Sequence, residues 1–153
     1  MAGTVERILI TASEGQPIDD VESINAHAGR GLEGDRYFEG KGKFKKLEPK
    51  RQATLIESEA ITAVARDYGI DVDAADVRRN IVTRGIALNH LVGKTFRVGD
   101  AIFKGIKLAE PCDYMQKIAG KPIREPLKHR GGLRAEIVES GSISVGDEIA
   151  PLD

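Results

Sequence analysis

The 153-residue sequence holds one cysteine, no tryptophan and only 5% aromatic residues. A single thiol, Cys112, cannot close an internal disulfide, so a reducing cytoplasm is the expected compartment. A zinc site needs several Cys or His at close spacing, and His27, His90 and His129 stand singly. No apolar run approaches the ~20 residues of a membrane span. The opening stretch, Met1 to Ile10, carries Glu6 and Arg7 and does not read as a signal peptide. With so few aromatics and no basic-aromatic stacking module, nucleic acid is an unfavoured partner. Gly-x-Gly-x-x-Gly, Gly-Lys-Ser/Thr and Gly-x-Ser-x-Gly are all missing, as is any paired-carboxylate motif. Nucleotide loops and nucleophile elbows are thereby set aside.

What is present is an ordinary globular composition, 41% hydrophobic and 31% charged, of a length suited to one domain. A chain this long can bury roughly 68–70% of its unfolded surface without a disulfide or a structural metal. The net charge is −1, but its distribution is uneven: Arg78 to Arg134 holds 13 Lys/Arg against 4 Asp/Glu, between two acidic flanks. Such a block attracts anions, or else forms a solvated face salt-bridged to those flanks.

Short β runs separated by turn signals dominate. Val5–Ala12, Gln52–Glu57, Thr95–Val98, Ala101–Ile106, Leu133–Glu139 and Ser142–Val145 read as strands. The stretch from Gly29 to Tyr37 reads as a shaped, glycine-dense loop, and Gly40 to Lys50 as a mobile basic one. One helix is expected from Ser58, placed as N-cap, with Ile61, Val64, Ala65 and Tyr68 as its apolar stripe and Gly69 as its stop. Val98-Gly99-Asp100 and Val145-Gly146-Asp147 repeat one turn pattern and are expected at corners of the β structure. Many short strands with one helix and no βαβ alternation predict a mainly β fold, a β-barrel core with peripheral helices.

Three segments could carry chemistry. Cys112 follows Pro111 at the expected start of a helix from Asp113 to Ile118. A helix dipole and basic surroundings there would favour the thiolate, whereas Glu110 and Asp113 would oppose it unless they face away. The alternative is an inert, buried thiol. Arg78-Arg79-Asn80-Ile81-Val82-Thr83-Arg84 packs three arginines beside an amide and a hydroxyl, a set suited to phosphate and other oxyanions. In His129-Arg130-Gly131-Gly132-Leu133-Arg134 the paired glycines would let a ligand approach the flanking donors.

Together with Gly34-Asp35-Arg36, Val98-Gly99-Asp100, Glu110-Pro111-Cys112 and Gly141 with Val145-Gly146-Asp147, these segments resemble the MOSC family. This is the domain at the C-terminus of molybdenum cofactor sulfurases, also found as small free-standing bacterial proteins. The motifs come in the family's order and span about residues 29–149, so the whole chain, 1–153, is expected to be a single MOSC-like domain. The resemblance implies a β-barrel core. It implies molybdenum cofactor (Mo-pyranopterin) as ligand, with Cys112 as metal ligand and catalytic residue or as persulfide carrier. Arg36, Arg78, Arg79, Asn80, Thr83, Arg84, Arg130, Gly131, Gly132 and Arg134 would then hold the phosphorylated pterin. Enzymes of the family reduce N-hydroxylated compounds, which is the leading expectation here. A non-catalytic sulfur or cofactor carrier, and a small-molecule-binding barrel with a structural Cys112, are the alternatives. No desulfurase domain accompanies this one, so a separate protein would donate sulfur or electrons. Tyr37 stands where many relatives have His after Gly-Asp-Arg.

Cys112→Ser is nearly isosteric. It is expected to abolish function and leave the melting temperature unchanged; a substantial loss in a thermal melt would mark a buried structural thiol instead.

Overall fold

A computed structural model describes residues 2–13, 15–39 and 52–152; the basic segment from Gly40 to Lys50 lies outside the described residues. In chain order the strands are Gly3–Ile10 (β1), Asp19–Val21 (β2), Ser23–His27 (β3), Gly31–Leu32 (β4), Ala53–Glu57 (β5), Ile81–Arg84 (β6), Thr95–Val98 (β7), Ala101–Leu108 (β8), Leu133–Glu139 (β9), Gly141–Ser144 (β10) and Glu148–Pro151 (β11). The helices are Arg36–Glu39 (α1), Ser58–Tyr68 (α2), Ala74–Val77 (α3) and Asp113–Ala119 (α4), and a 3₁₀ turn covers Leu88–Leu91.

The main sheet runs β11-β7-β8-β9-β5-β6-β1, and β11 pairs back onto β1 through Gly3↔Ile149 and Thr4↔Glu148, which closes a seven-stranded barrel. Strand β2 extends β1 beyond that seam through Ile8↔Val21 to Ile10↔Asp19. Neighbours are antiparallel except β5 and β6, whose parallel pairing (Leu55↔Ile81) requires the crossover that carries α2 and α3. A second sheet, β10-β3-β4, lies beside the barrel.

The period-2 geometry of strands sorts successive side chains into two cores. Ile8, Leu55 and Ile81 point into the barrel with Phe96, Phe103 and Leu133. Their chain neighbours Leu9, Ile56 and Val82 point outward and bury Val64, Val72, Val77, Met115, Ile123 and Leu127, which come from the helices and the segment after α4. Helix α4 is thus held against the outside of the barrel by Met115.

The sequence expectations for the strands agree with the structure to within about two residues. Helix α2 differs in detail: Glu57, not Ser58, occupies the N-cap, with no side-chain capping bond. Its buried residues are Ala60, Ala63 and Val64, while Ala65 and Tyr68 face solvent. As expected, Gly69 ends the helix in a left-handed cap, its N–H bonded to Ala65 O. The two Gly-Asp turns do sit at corners. Gly99-Asp100 joins β7 to β8, and Gly146-Asp147 carries the chain from the small sheet into the barrel, with Asp147 Oδ2 accepting from the Ser144 N–H at 2.8 Å. Strands β2, β3, β4, β6 and β11 and the short helices α1 and α3 were not expected.

Phe103 is fully buried against Phe96 with ring centroids 5.9 Å apart. Phe103→Ala is expected to cost about 3–5 kcal/mol and to lower the melting temperature by roughly 10 °C. The solvent-facing Val138→Ser should leave both unchanged.

Candidate functional site

The candidate site forms at one end of the barrel. The registers Leu55↔Ile81, Leu55↔Leu133 and Leu108↔Leu133 place the start of β6, the start of β9 and the end of β8 side by side. The segments entering and leaving these strands carry Arg78-Arg79, Gly131-Gly132 and Ala109 to Cys112. They enclose a small cleft of about 60 Å3 lined by Arg36, Tyr37, Arg78, Arg79, Cys112 and Arg134, with Glu110 at its edge and Val77, Tyr114 and Met115 as its less polar wall. Since one water needs about 10–15 Å3 of such space, the cleft admits a few waters or one compact anion.

Arg78 and Arg79 are adjacent in sequence but serve different places. Arg78 caps α3 in the left-handed region at φ 56°, an uncommon state for a side chain of its size. That turn sends its guanidinium out to the Gln16 carbonyl at 3.2 Å, from both Nη1 and Nη2. Arg79 goes inward and is only 7% exposed. Its Nε donates to Gly131 O and its Nη2 to Ala109 O, each at 2.8 Å, tying the start of β6 to both segments that flank Cys112. Nη1 of Arg79 makes no hydrogen bond among the described residues, and the side chain lines the cleft. Burial pushes this guanidinium's pKa down to about 9, with repulsion from Arg134 acting the same way and Tyr37 and Cys112 opposing. It remains a cation at neutral pH. Burial also lowers Arg78, helped by Arg36.

Arg36 is held by its neighbours: Nη1 lies 3.3 Å from Asp35 Oδ1, and Nη2 donates to Arg78 O at 3.2 Å and approaches Tyr37 Oη at 3.5 Å. Asp35 is fully buried, and that burial raises its pKa against the pull of Arg36 and of the Thr11 and Tyr37 N–H groups. Arg134, on β9, has a buried Nη1 with no hydrogen-bond partner among the described residues. Cys112 is exposed and caps α4 without a side-chain capping bond, so the fold does not contain a buried inert thiol. The acidic neighbours of Cys112 are both engaged elsewhere. Asp113 pairs with Arg124 at 2.8 Å, and Glu110 accepts from the His129 N–H at 2.7 Å while its other oxygen meets His129 Nδ1 at 2.8 Å. The Glu110–His129 pair was not legible in the sequence, because 19 positions separate its members and neither has a local signal.

Other residues expected at the site lie elsewhere. Asn80 is fully buried inside the wall. Its amide accepts from Thr54 N and Thr54 Oγ1 and donates to Leu9 O, linking the strands on either side of β6. Thr83 is buried and reaches Ile56 O at 3.5 Å, and Arg84 faces outward to Glu6 at 2.6 Å. Arg130 donates to Pro126 O at 2.8 Å and lies 3.6 Å from Asp67. The room made by Gly131 and Gly132 goes to the protein's own backbone: a Cβ on Gly131 would sit 2.5 Å from Ala109 O, and one on Gly132, at φ 115°, would strike Leu55 O. Among the described residues no three His, Cys, Asp or Glu side chains group as a metal site.

Arg79→Ala removes two charge-assisted bonds and orphans two carbonyls, so urea unfolding should show a loss of about 3 kcal/mol. Arg134→Gln, which gives up a donor without a partner, should keep or raise the unfolding midpoint.

A model of the MOSC domain matches residues 41–150. No curated protein sequence matches the chain. Among solved structures, the YUAD protein from Bacillus subtilis superposes with a TM-score of 0.80 at 15% identity, covering 97% of this chain and 94% of that one. YiiM from Geobacillus stearothermophilus gives 0.74 at 12% identity over 99% and 75% of the two chains. YiiM from Escherichia coli gives 0.70 at 18% identity over 98% and 70%. These likenesses are to the fold, and the family model, spanning well over half the sequence, shows that the chain belongs to the MOSC domain family.

Proposed function

We propose that this protein is a carrier: Cys112 takes a soft cargo, a sulfur atom or the metal of molybdenum cofactor, and the surrounding arginines hold the anionic part of what is carried. The observation behind this reading is that Arg36, Arg78, Arg79, Arg134 and the only cysteine line one cleft. The carboxylates near it are already engaged, Asp35 by Arg36 and Glu110 by His129. The cleft is therefore left with desolvated positive charge, the condition in which an oxyanion or a thiolate is held most strongly.

Molybdenum cofactor suits this donor set. The guanidinium groups of Arg134 and Arg79 suit a phosphate oxygen, and a thiolate at Cys112 suits a soft metal centre. When bound, the cofactor would supply two-electron chemistry at its metal, while the chain binds and orients it. Only a phosphate-sized portion fits within the cleft, so the rest of the cofactor would lie across its mouth. Asn80, Thr83, Gly131 and Gly132 would support such binding through the barrel wall and not by touching the ligand.

A second reading, reduction of N-hydroxylated compounds, is favoured by Tyr37. Its phenol lines the cleft within 3.5 Å of Arg36 Nη2, and it could deliver a proton where many relatives have His.

The two readings part in one experiment. Anaerobically purified protein treated with a low-molecular-weight persulfide should gain one sulfur on Cys112 by intact mass and pass it to an acceptor thiol. Turnover of an amidoxime by molybdenum-loaded protein with a reductant, lost in Tyr37→Phe, would establish the reductase instead.

A further inference from the structure

The carrier reading leaves open where the sulfur comes from, and the cleft narrows the choice. Its space of about 60 Å3 suits a compact anion. Two guanidinium groups line it with donor capacity that no described side chain accepts: Arg134, whose buried Nη1 is unpartnered, and Arg79, a residue 93% buried whose bonds go to Gly131 O and Ala109 O. Met115 and Val77 supply the polarizable, apolar part of the lining. A ligand that matches all of this is small and doubly charged at one end, and soft at the other. Sulfate and phosphate satisfy only the charged end.

The geometry points to a sulfane-sulfur oxyanion, a thiosulfonate of the size of thiosulfate, as the species from which Cys112 takes its sulfur. This rests on the carrier reading and extends it to a reaction. The oxyanion end sits on Arg79 and Arg134 and directs the terminal sulfur towards Cys112. The thiolate Sγ attacks that sulfur, a new S–S bond forms on Cys112, and the S–S bond of thiosulfate breaks. Sulfite departs with the electron pair, and the product is the Cys112 persulfide anion. One thiolate and one dianion give one persulfide anion and one dianion, so no further proton, oxidant or reductant enters. Arg79 and Arg134 have a role at both stages, since the leaving sulfite is itself an oxyanion that they stabilise.

The test uses the full chain, reduced and then incubated with thiosulfate without oxygen. Intact mass should show one added sulfur mapping to Cys112, with one equivalent of sulfite released, and Cys112→Ser should show neither. Excess inorganic sulfate should slow the reaction. Arg134→Gln should slow it by about ten- to a hundred-fold, the worth of one charge-assisted bond, and Arg134→Lys by less. Alkylation of Cys112 by neutral iodoacetamide should slow far less than thiosulfate transfer in both variants. If Arg134→Gln slows alkylation as much as thiosulfate transfer, the arginine acts on the thiol in general and the proposal is overturned. It is overturned too if thiosulfate gives no adduct while a neutral low-molecular-weight persulfide loads Cys112, in which case the carrier reading still stands. If neither compound loads Cys112, both fall.

Discussion

Arg79 carries a charge in a place where charge is costly, and much of the local backbone is arranged around it. Desolvating a guanidinium costs several kcal/mol unless its donors find partners. Here the partners are two peptide carbonyls, Gly131 O and Ala109 O, and not a carboxylate. Carbonyl dipoles satisfy the geometry without cancelling the charge. The result is a fixed cation inside the wall that lines the cleft. Because those same carbonyls belong to the two segments flanking Cys112, one side chain sets both the field of the cleft and the position of its walls.

The barrel makes this possible by bringing distant pieces of sequence to one end. Arg79 enters with β6, Arg134 with β9 and Cys112 after β8, while Arg36 opens α1, beyond β4. The strand ends are locked in register by buried polar contacts such as Asn80 with Thr54 and Leu9. Outside the barrel, α4 is seated by Met115 in the second core, so the segment that begins at Cys112 rests on packed structure on its far side. A thiol mounted this way is exposed yet positioned, as a group that must meet a partner requires.

Local signals explain what could be read from the sequence and what could not. Thr95–Val98 and Leu133–Glu139 alternate cleanly and are bounded by glycine turns, and their observed limits match the reading. The short strands Asp19–Val21 and Gly31–Leu32 have no such pattern, because they are held by pairing with β1 and β3 and not by their own composition. Tyr68 keeps helical spacing with Ile61 and Val64 but is 53% exposed, which periodicity alone cannot report. In the site, arginine clustering drew attention to Arg78, Arg79 and Arg134, which line the cleft with Cys112. It could not tell them from Arg84 and Arg130, since the direction of each side chain depends on the strand register and on the left-handed turn at Arg78. Gly131 and Gly132 were legible as places of close approach, but whether ligand or backbone does the approaching is a tertiary fact.

The seam between β1 and β11 has a consequence for how the molecule is made. Gly3 pairs with Ile149, so the ring closes between residues near opposite ends of the described chain. Contacts of such long separation form late, because the entropy of the intervening loop is lost before the pairing rewards it. The parallel β5–β6 pair adds a second non-local step, with two helices threaded through its crossover. Folding is therefore expected to run on the millisecond-to-second scale typical of non-local β topologies. Until the seam closes, the free edges of β1 and β11 are open to pairing with another chain. The ring that gives the cleft its rigid rim is, while the protein is being synthesised, the part most exposed to error.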